Sequence, residues 1–225
     1  MQELLLDAAR PLVGDDARLI SASRTDAGVH ALRQTASLSI ATPGTATTLA
    51  AGAILRALNA RLPPDIRVLA AGEVGPDFDA RRAALGKRYA YLIDNSAVAS
   101  PLLRRFAWHM PVPLDTDAMR AALAPLRGRH DFSAFCAAAG REHSPLCAVR
   151  AVHVVRRRER LALVISADRF LHHMVRTIVG SAVEVGRGAR TAPWMAEVLG
   201  ARDRTRAGPT APAHGLTLVR VLYPR

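Results

Sequence analysis

Asp26 lies in the stretch Ser21-Ala22-Ser23-Arg24-Thr25-Asp26-Ala27-Gly28-Val29-His30-Ala31, with a guanidinium two residues before it and a glycine two residues after it. An ionised carboxylate at the tip of a tight turn can attack an electrophilic carbon or stabilise charge electrostatically. The turn itself is predicted from Ala27-Gly28, because glycine reaches backbone angles closed to other residues. The commoner job of an aspartate in such a place is an Asx turn, in which the carboxylate bonds its own backbone. The triplet Arg24-Thr25-Asp26 alone leaves both jobs open.

A second set of polar groups stands in Phe170-Leu171-His172-His173-Met174-Val175-Arg176. Read as a helix, this run puts His172 and Arg176 on one side, at the edge of an apolar stripe. There an arginine can simply snorkel to solvent. The pair His172-His173 suggests metal ligation, but adjacent helical residues point about 100 degrees apart and no carboxylate or cysteine is near in sequence. Polar packing or an RNA contact is therefore expected, and no metal site. A third set is Lys87, Tyr89 and Tyr91, which alternate along a strand and so share one face. Tyr91 suits a half-buried strand aromatic.

These groups must be positioned by elements legible in the periodicity. A short helix is predicted over 2–10, with Leu5, Leu6 and Ala9 on one side, ending near Pro11 and Gly14. Arg18 to Ser23 reads as a strand. Thr35 to Ile40 alternates strictly, with Ala36, Leu38 and Ile40 on one face, and stops at Pro43-Gly44. Thr47-Thr48 can cap a helix bearing Ala50, Ala53, Ile54, Ala57 and Leu58, which ends before Pro63-Pro64. Strands are predicted over 66–74 and 84–94, separated by the polar loop 76–82 with Phe78 plugged beneath it. Asn95 to Pro113 has no stable period and reads as a boundary, dividing the chain into halves 1–95 and 96–225. Asp115 or Thr116 caps a helix with Met119, Ala122, Leu123 and Leu126. Residues 150–157 and 160–168 form a hairpin with apolar residues on both faces, which predicts that both are covered. Residues 170–185 hold the i, i+3, i+4 pattern for three turns and predict the longest helix. A short helix over 194–199, a loop over 202–214 and a strand over 216–223 complete the chain.

Composition narrows the partner. The chain has 225 residues, Lys+Arg 31 against Asp+Glu 19, and a formal net charge of +12. Such an excess on a chain that is 50% hydrophobic points to a polyanion bound by a folded protein. No apolar window is long enough to span a membrane and no secretory signal pattern stands at the front. Cys136 and Cys147 lack metal-site spacing, and so few cysteines fit a reducing, cytoplasmic setting. The sequence contains no GxxxxGK[ST], GxGxxG or HExxH.

The run Arg24-Thr25-Asp26-Ala27-Gly28-Val29-His30-Ala31 closely resembles the signature of the tRNA pseudouridine synthase A family. The resemblance continues, in the family's order, through Lys87-Arg88-Tyr89-Ala90-Tyr91, Asp131-Phe132-Ser133-Ala134-Phe135, 170–180 and His214-Gly215-Leu216. It implies an α+β enzyme of two similar halves, each a mixed or antiparallel sheet covered by helices, with a catalytic cleft between them. It implies conversion of uridine to pseudouridine at positions 38 to 40 in the anticodon arm of tRNA, by a cytoplasmic homodimer with no metal or cofactor. Asp26 is then the nucleophile and Arg176 the cation paired with it. Tyr89 stacks on the target base, and Arg24 contacts the RNA and helps hold the extruded nucleotide. The residues themselves, apart from the resemblance, offer Lys87, on the same strand face as Tyr89, as a phosphate contact and His172 as an RNA contact.

Two departures accompany the resemblance. Ser23 stands where the family often has glycine. Family members also begin with a strand and loop ahead of the first helix, so the first strand is expected to be missing here and Met1 to mark a shortened start. Two rival functions follow from other classes: an RNA-binding protein inactivated by loss of that strand, and a zinc deaminase, which the absence of a PCxxC segment disfavours.

Overall fold

The computed structural model describes residues 1–39, 50–137 and 144–224. The fold mixes α and β as expected, and the chain forms two compact units: Met1–Arg24 with Arg33–Ala84, and Thr25–Leu32 with Leu85–Tyr223. Among the described residues no helix is long and apolar enough to cross a membrane.

The first unit holds helix α1 (Gln2–Val13) and strand β1 (Arg18–Ser21), followed in the chain by β3 (Ala36–Ser39) and α2 (Ala51–Arg61). Its core is small: Ala8, Ala9 and Val13 of α1 meet Leu58 and Leu62 at the end of α2, with Leu38 and Ile54 packed around them. Helix α1 runs past the stop predicted at Pro11 and ends at Gly14, whose φ of 92 suits glycine. β1 and β3 pair antiparallel, Leu19 opposite Leu38. Ile40, Pro43-Gly44 and the cap at Thr47-Thr48 lie outside the described residues.

The strand predicted over 66–74 is not formed. Instead the Asn59 side chain brackets Val68, its Nδ2 donating to the Val68 carbonyl at 2.8 Å and its Oδ1 accepting from the Val68 N–H at 2.8 Å. One amide side chain thus satisfies the backbone that a ladder would otherwise use.

The second unit is built on a seven-stranded mixed sheet. Its strands are β2 (His30–Ala31), β4 (Gly86–Asp94), β5 (Trp108–His109), β6 (Gly128–Asp131), β7 (Leu146–Arg157), β8 (Arg160–Ala167) and β9 (Leu216–Leu222). The order is β2-β9-β4-β8-β7-β6, with β5 beside the end of β4. Strand β4, assigned by the sequence to a half ending at 95, pairs with both β8 and β9 and lies in this unit. The segment 95–113 also belongs to it: β5 pairs with Ile93-Asp94, and Asn95 donates to the carbonyls of Met110 and Val112. The β7–β8 hairpin is covered on one face only, since Val152, Val154, Leu161, Leu163 and Ile165 are buried while Val155 on the other face is 53% exposed.

Helices α3 (Thr116–Leu123), α4 (Met174–Gly186) and α5 (Trp194–Ala201) supply the rest of this core, with Met119, Leu123, Met174 and Ile178 fully buried. Asp115 caps α3 as predicted, accepting from the N–H groups of Asp117 and Ala118 at 2.9 Å each. Asp115→Ala is expected to lower unfolding stability by about 1 kcal/mol, read as a shift in the urea midpoint at constant slope.

Candidate active site

The turn predicted at the signature is present. The Asp26 carbonyl accepts from the Val29 N–H at 3.0 Å, and Gly28 sits at φ +82 in the third place, the requirement of a type II turn. After the turn the chain enters β2, which runs parallel to β9 with His30 opposite Thr217 and Ala31 opposite Leu218. His30 Nε2 is 2.7 Å from the Arg105 carbonyl, and its ring lies 4.8 Å from that of Phe106. The loop carrying Asp26 is therefore anchored to the large sheet.

The Asp26 side chain does not cap its own turn. Its Oδ2 accepts from Arg176 NH1 at 2.9 Å, across 150 residues of sequence. Arg176 is half-determined by a second bond, its Nε donating to the Ala211 carbonyl at 2.8 Å, while the Ala211 N–H donates back to the Arg176 carbonyl at 3.1 Å. The snorkelling alternative is thus not what the fold adopts: the guanidinium is only 15% exposed and is held from two sides.

Loop 207–212 is pressed against α4 to make this possible. The Gly208 N–H donates to Ser181 Oγ at 2.9 Å, and Arg204 bonds both the Gly208 carbonyl and Thr210 Oγ1 at 3.0 Å. Gly180 leaves room for the Pro209 carbonyl, with which any β-carbon at that position would collide. Gly180→Ala is expected to cost about 1 to 3 kcal/mol by overpacking. Because the displaced loop carries Ala211, turnover should fall along with the denaturation midpoint; unchanged values of both would contradict the close packing.

The helix predicted from Phe170 starts later. Residues 170–173 are not helical, His173 takes the left-handed conformation at φ 62, and α4 begins at Met174. The His172 carbonyl, which a continuous helix would offer to Arg176, instead accepts from the Ala137 N–H at 3.1 Å. Freed from helical geometry, the two imidazoles lie against each other, with ring centroids 3.9 Å apart and planes tilted by 31°. Both approach the same carboxylate: His172 Nε2 is 3.5 Å from Asp26 Oδ1 and His173 Nε2 is 3.3 Å from Oδ2. The 100-degree argument against a shared partner fails because the residues are not on a helix.

Burial holds the His173 imidazole below its ordinary range, opposed by the Asp26 carboxylate and assisted by His172, Arg176 and Arg204. The sequence weighed His173 only as one of a pair with His172, and the structure brings both imidazoles to Asp26. Holding a non-glycine residue at positive φ costs of order 1 kcal/mol or more, and such outliers cluster at functional sites.

Tyr89, the expected stacking residue, is buried, its ring edge-on at 5.1 Å to that of Phe170, two residues before His172 in sequence. Tyr91 comes closer to the ion pair than its place on the strand suggests. Its hydroxyl donates to the Pro212 carbonyl at 2.8 Å, burial raises its pKa above the ordinary phenol value, and the Arg176 charge partly offsets that rise. Lys87 is half-buried on β4, two residues before Tyr89. Arg24 is exposed and belongs to the first unit, next to the segment that joins the second. The structure thus brings Asp26, Arg176, His172 and His173 together within one unit.

Comparisons with known proteins give the chain's relatives. The family described as tRNA pseudouridine synthase matches residues 122–224. A tRNA pseudouridine synthase A of Myxococcus xanthus is 44% identical over 99% of this chain and 83% of its own length. Proteins of the same name from Chloroflexus aurantiacus (44% identical, 100% of this chain, 80% of the relative) and Methylobacterium nodulans (43%, 100% and 87%) are similar throughout.

Proposed function

Since the chain belongs to the tRNA pseudouridine synthase A family, a family of isomerases, we propose that it converts uridine to pseudouridine at positions 38 to 40 of the tRNA anticodon arm, with Asp26 as the nucleophile. The observation that carries the assignment is the Asp26–Arg176 ion pair at 2.9 Å, which joins the signature loop to the start of α4. A nearby guanidinium favours the ionised form of a carboxylate in a partly desolvated place.

The isomerisation breaks the C–N glycosidic bond, turns the uracil over and joins its C5 to the ribose carbon. The C5 proton passes to solvent and N1 regains one, so atoms balance without a redox partner or phosphate donor. In this division of labour Arg176 keeps Oδ2 in place while Oδ1 is left to face the nucleotide. The target must leave its stack to reach a side chain anchored on a sheet. Tyr89 and Phe170 form the aromatic wall for the extruded base, Arg24 contacts the RNA and helps hold the extruded nucleotide, Lys87 takes a phosphate contact, and His172 touches the RNA beside Asp26. The enzyme acts as a cytoplasmic homodimer that requires no metal or cofactor for turnover. An RNA-binding protein without activity is disfavoured, because it would have no use for a carboxylate locked to an arginine.

Tritium release from tRNA labelled at uracil C5 tests the proposal, since isomerisation liberates the label and binding alone does not. Release confined to the anticodon arm is expected; no release by the full chain from a family substrate would overturn it. Affinity should also fall steeply with salt, along a straight log-log line with a slope of several units, because a chain of net charge +12 displaces counterions from RNA. A flat salt response in a filter-binding titration would argue against phosphate contacts.

A further inference from the structure

We propose that Asp26 Oδ1, His172 Nε2 and His173 Nε2 form a site for a divalent transition-metal ion of the Zn²⁺ type, and that filling it blocks the enzyme. Oδ1 lies 3.5 Å from His172 Nε2 and Oδ2 lies 3.3 Å from His173 Nε2, and one donor atom from each of the three residues falls within 4.8 Å of the others. Tetrahedral zinc with bonds of about 2.0–2.1 Å separates its ligand atoms by about 3.3–3.4 Å, so small shifts close the set around one ion. Two imidazoles and one carboxylate are a donor combination that zinc accepts with its fourth position open to water.

The surroundings suit entry and orientation. Side-chain exposures of 39%, 29% and 26% for His172, His173 and Asp26 leave a path for a hydrated ion. Arg176 bonds Oδ2 at 2.9 Å and so orients the carboxylate from outside, as hydrogen-bonded partners of metal ligands do. Its positive charge also repels a cation, which makes this an inhibitory site of moderate affinity and not a home for a permanent ion. A bound ion would take the oxygen left for the nucleotide and both imidazoles beside it.

Only the effect on turnover rests on the reading of Asp26 as nucleophile; binding of the ion does not. The test therefore measures binding directly, with the full chain, by calorimetric titration of Zn²⁺ and by the visible absorption of Co²⁺ in a tetrahedral site. His172→Asn and His173→Asn remove a ligand, and asparagine tolerates the left-handed backbone at 173. Far-UV circular dichroism checks that both fold. The parent is expected to bind one Zn²⁺ per chain and show the Co²⁺ band, with each variant at least about tenfold weaker. Parent turnover should fall in step with occupancy and return on adding EDTA. Equal Zn²⁺ binding by the parent and by both variants overturns the site. Occupancy at this site with turnover intact overturns the blocking role, and the activity of Asp26→Asn then tells whether the nucleophile assignment fails with it.

Discussion

Asp26→Asn is expected to give a folded protein that binds tRNA and does not isomerise it. Asparagine keeps the size and turn-forming ability of aspartate, and the Asp26 backbone still accepts from Val29. Its amide oxygen can accept from Arg176 NH1 as Oδ2 does now, and Arg176 keeps its bond to the Ala211 carbonyl. What is lost is the charge and nucleophilicity of the carboxylate. The stability cost is that of weakening one charge-assisted hydrogen bond, about 1 to 3 kcal/mol. Loss of a reacting group that acts as part of a unit lowers turnover by at least about 10³-fold. Tritium release should therefore reach background while binding isotherms with unmodified tRNA overlay those of the parent. Comparable turnover in parent and variant would remove Asp26 from the chemistry.

Arg176→Lys is the second large effect. The guanidinium spans two acceptors at once, donating from Nε to Ala211 and from NH1 to Asp26. An ammonium is a point donor on a flexible stem and cannot reproduce that fork. Either Asp26 or loop 207–212 loses its partner, although the charge is kept. A loss of about 10²- to 10³-fold in turnover is expected, the size associated with removing one preorganised hydrogen-bond donor, with tRNA affinity nearly unchanged. The comparison with Arg176→Met separates charge from geometry. An unimpaired lysine variant would show that charge alone suffices and that the fork is a packing feature.

Several local features were legible because short-range physics decides them. The turn after Asp26 needs one residue at positive φ, and Gly28 supplies it. The start of α3 is set by Asp115, a residue whose carboxylate reaches the N–H groups two and three positions on. The β7–β8 hairpin follows from alternation on either side of a turn at Arg158-Glu159. Where the expectation failed, a long-range partner decided. Residues 66–74 carry strand-like residues but form no strand, and the Val68 backbone is taken by the Asn59 side chain; β-propensity yields to whichever partner is present. Strands β2 and β6 are too short for periodicity to register, and each exists through its neighbour, β9 or β7. Residues 95–113 look like a linker, yet they fold back beside β4.

The site divides the same way. The sequence by itself determined the family, through an unbroken signature around Asp26 and matching runs downstream, and it determined the tight turn that presents the carboxylate. The resemblance named Arg176 as the partner of that carboxylate; only the tertiary structure brought the two histidines to it as well. The Ala137 N–H draws the His172 carbonyl out of helical pairing, His173 turns left-handed, and two adjacent histidines face one aspartate 146 and 147 positions away, as counted from 26 to 172 and 173. Periodicity describes how neighbours along a chain point only while the backbone repeats. Where a hydrogen bond from a distant segment breaks the repeat, side-chain direction becomes a property of the fold.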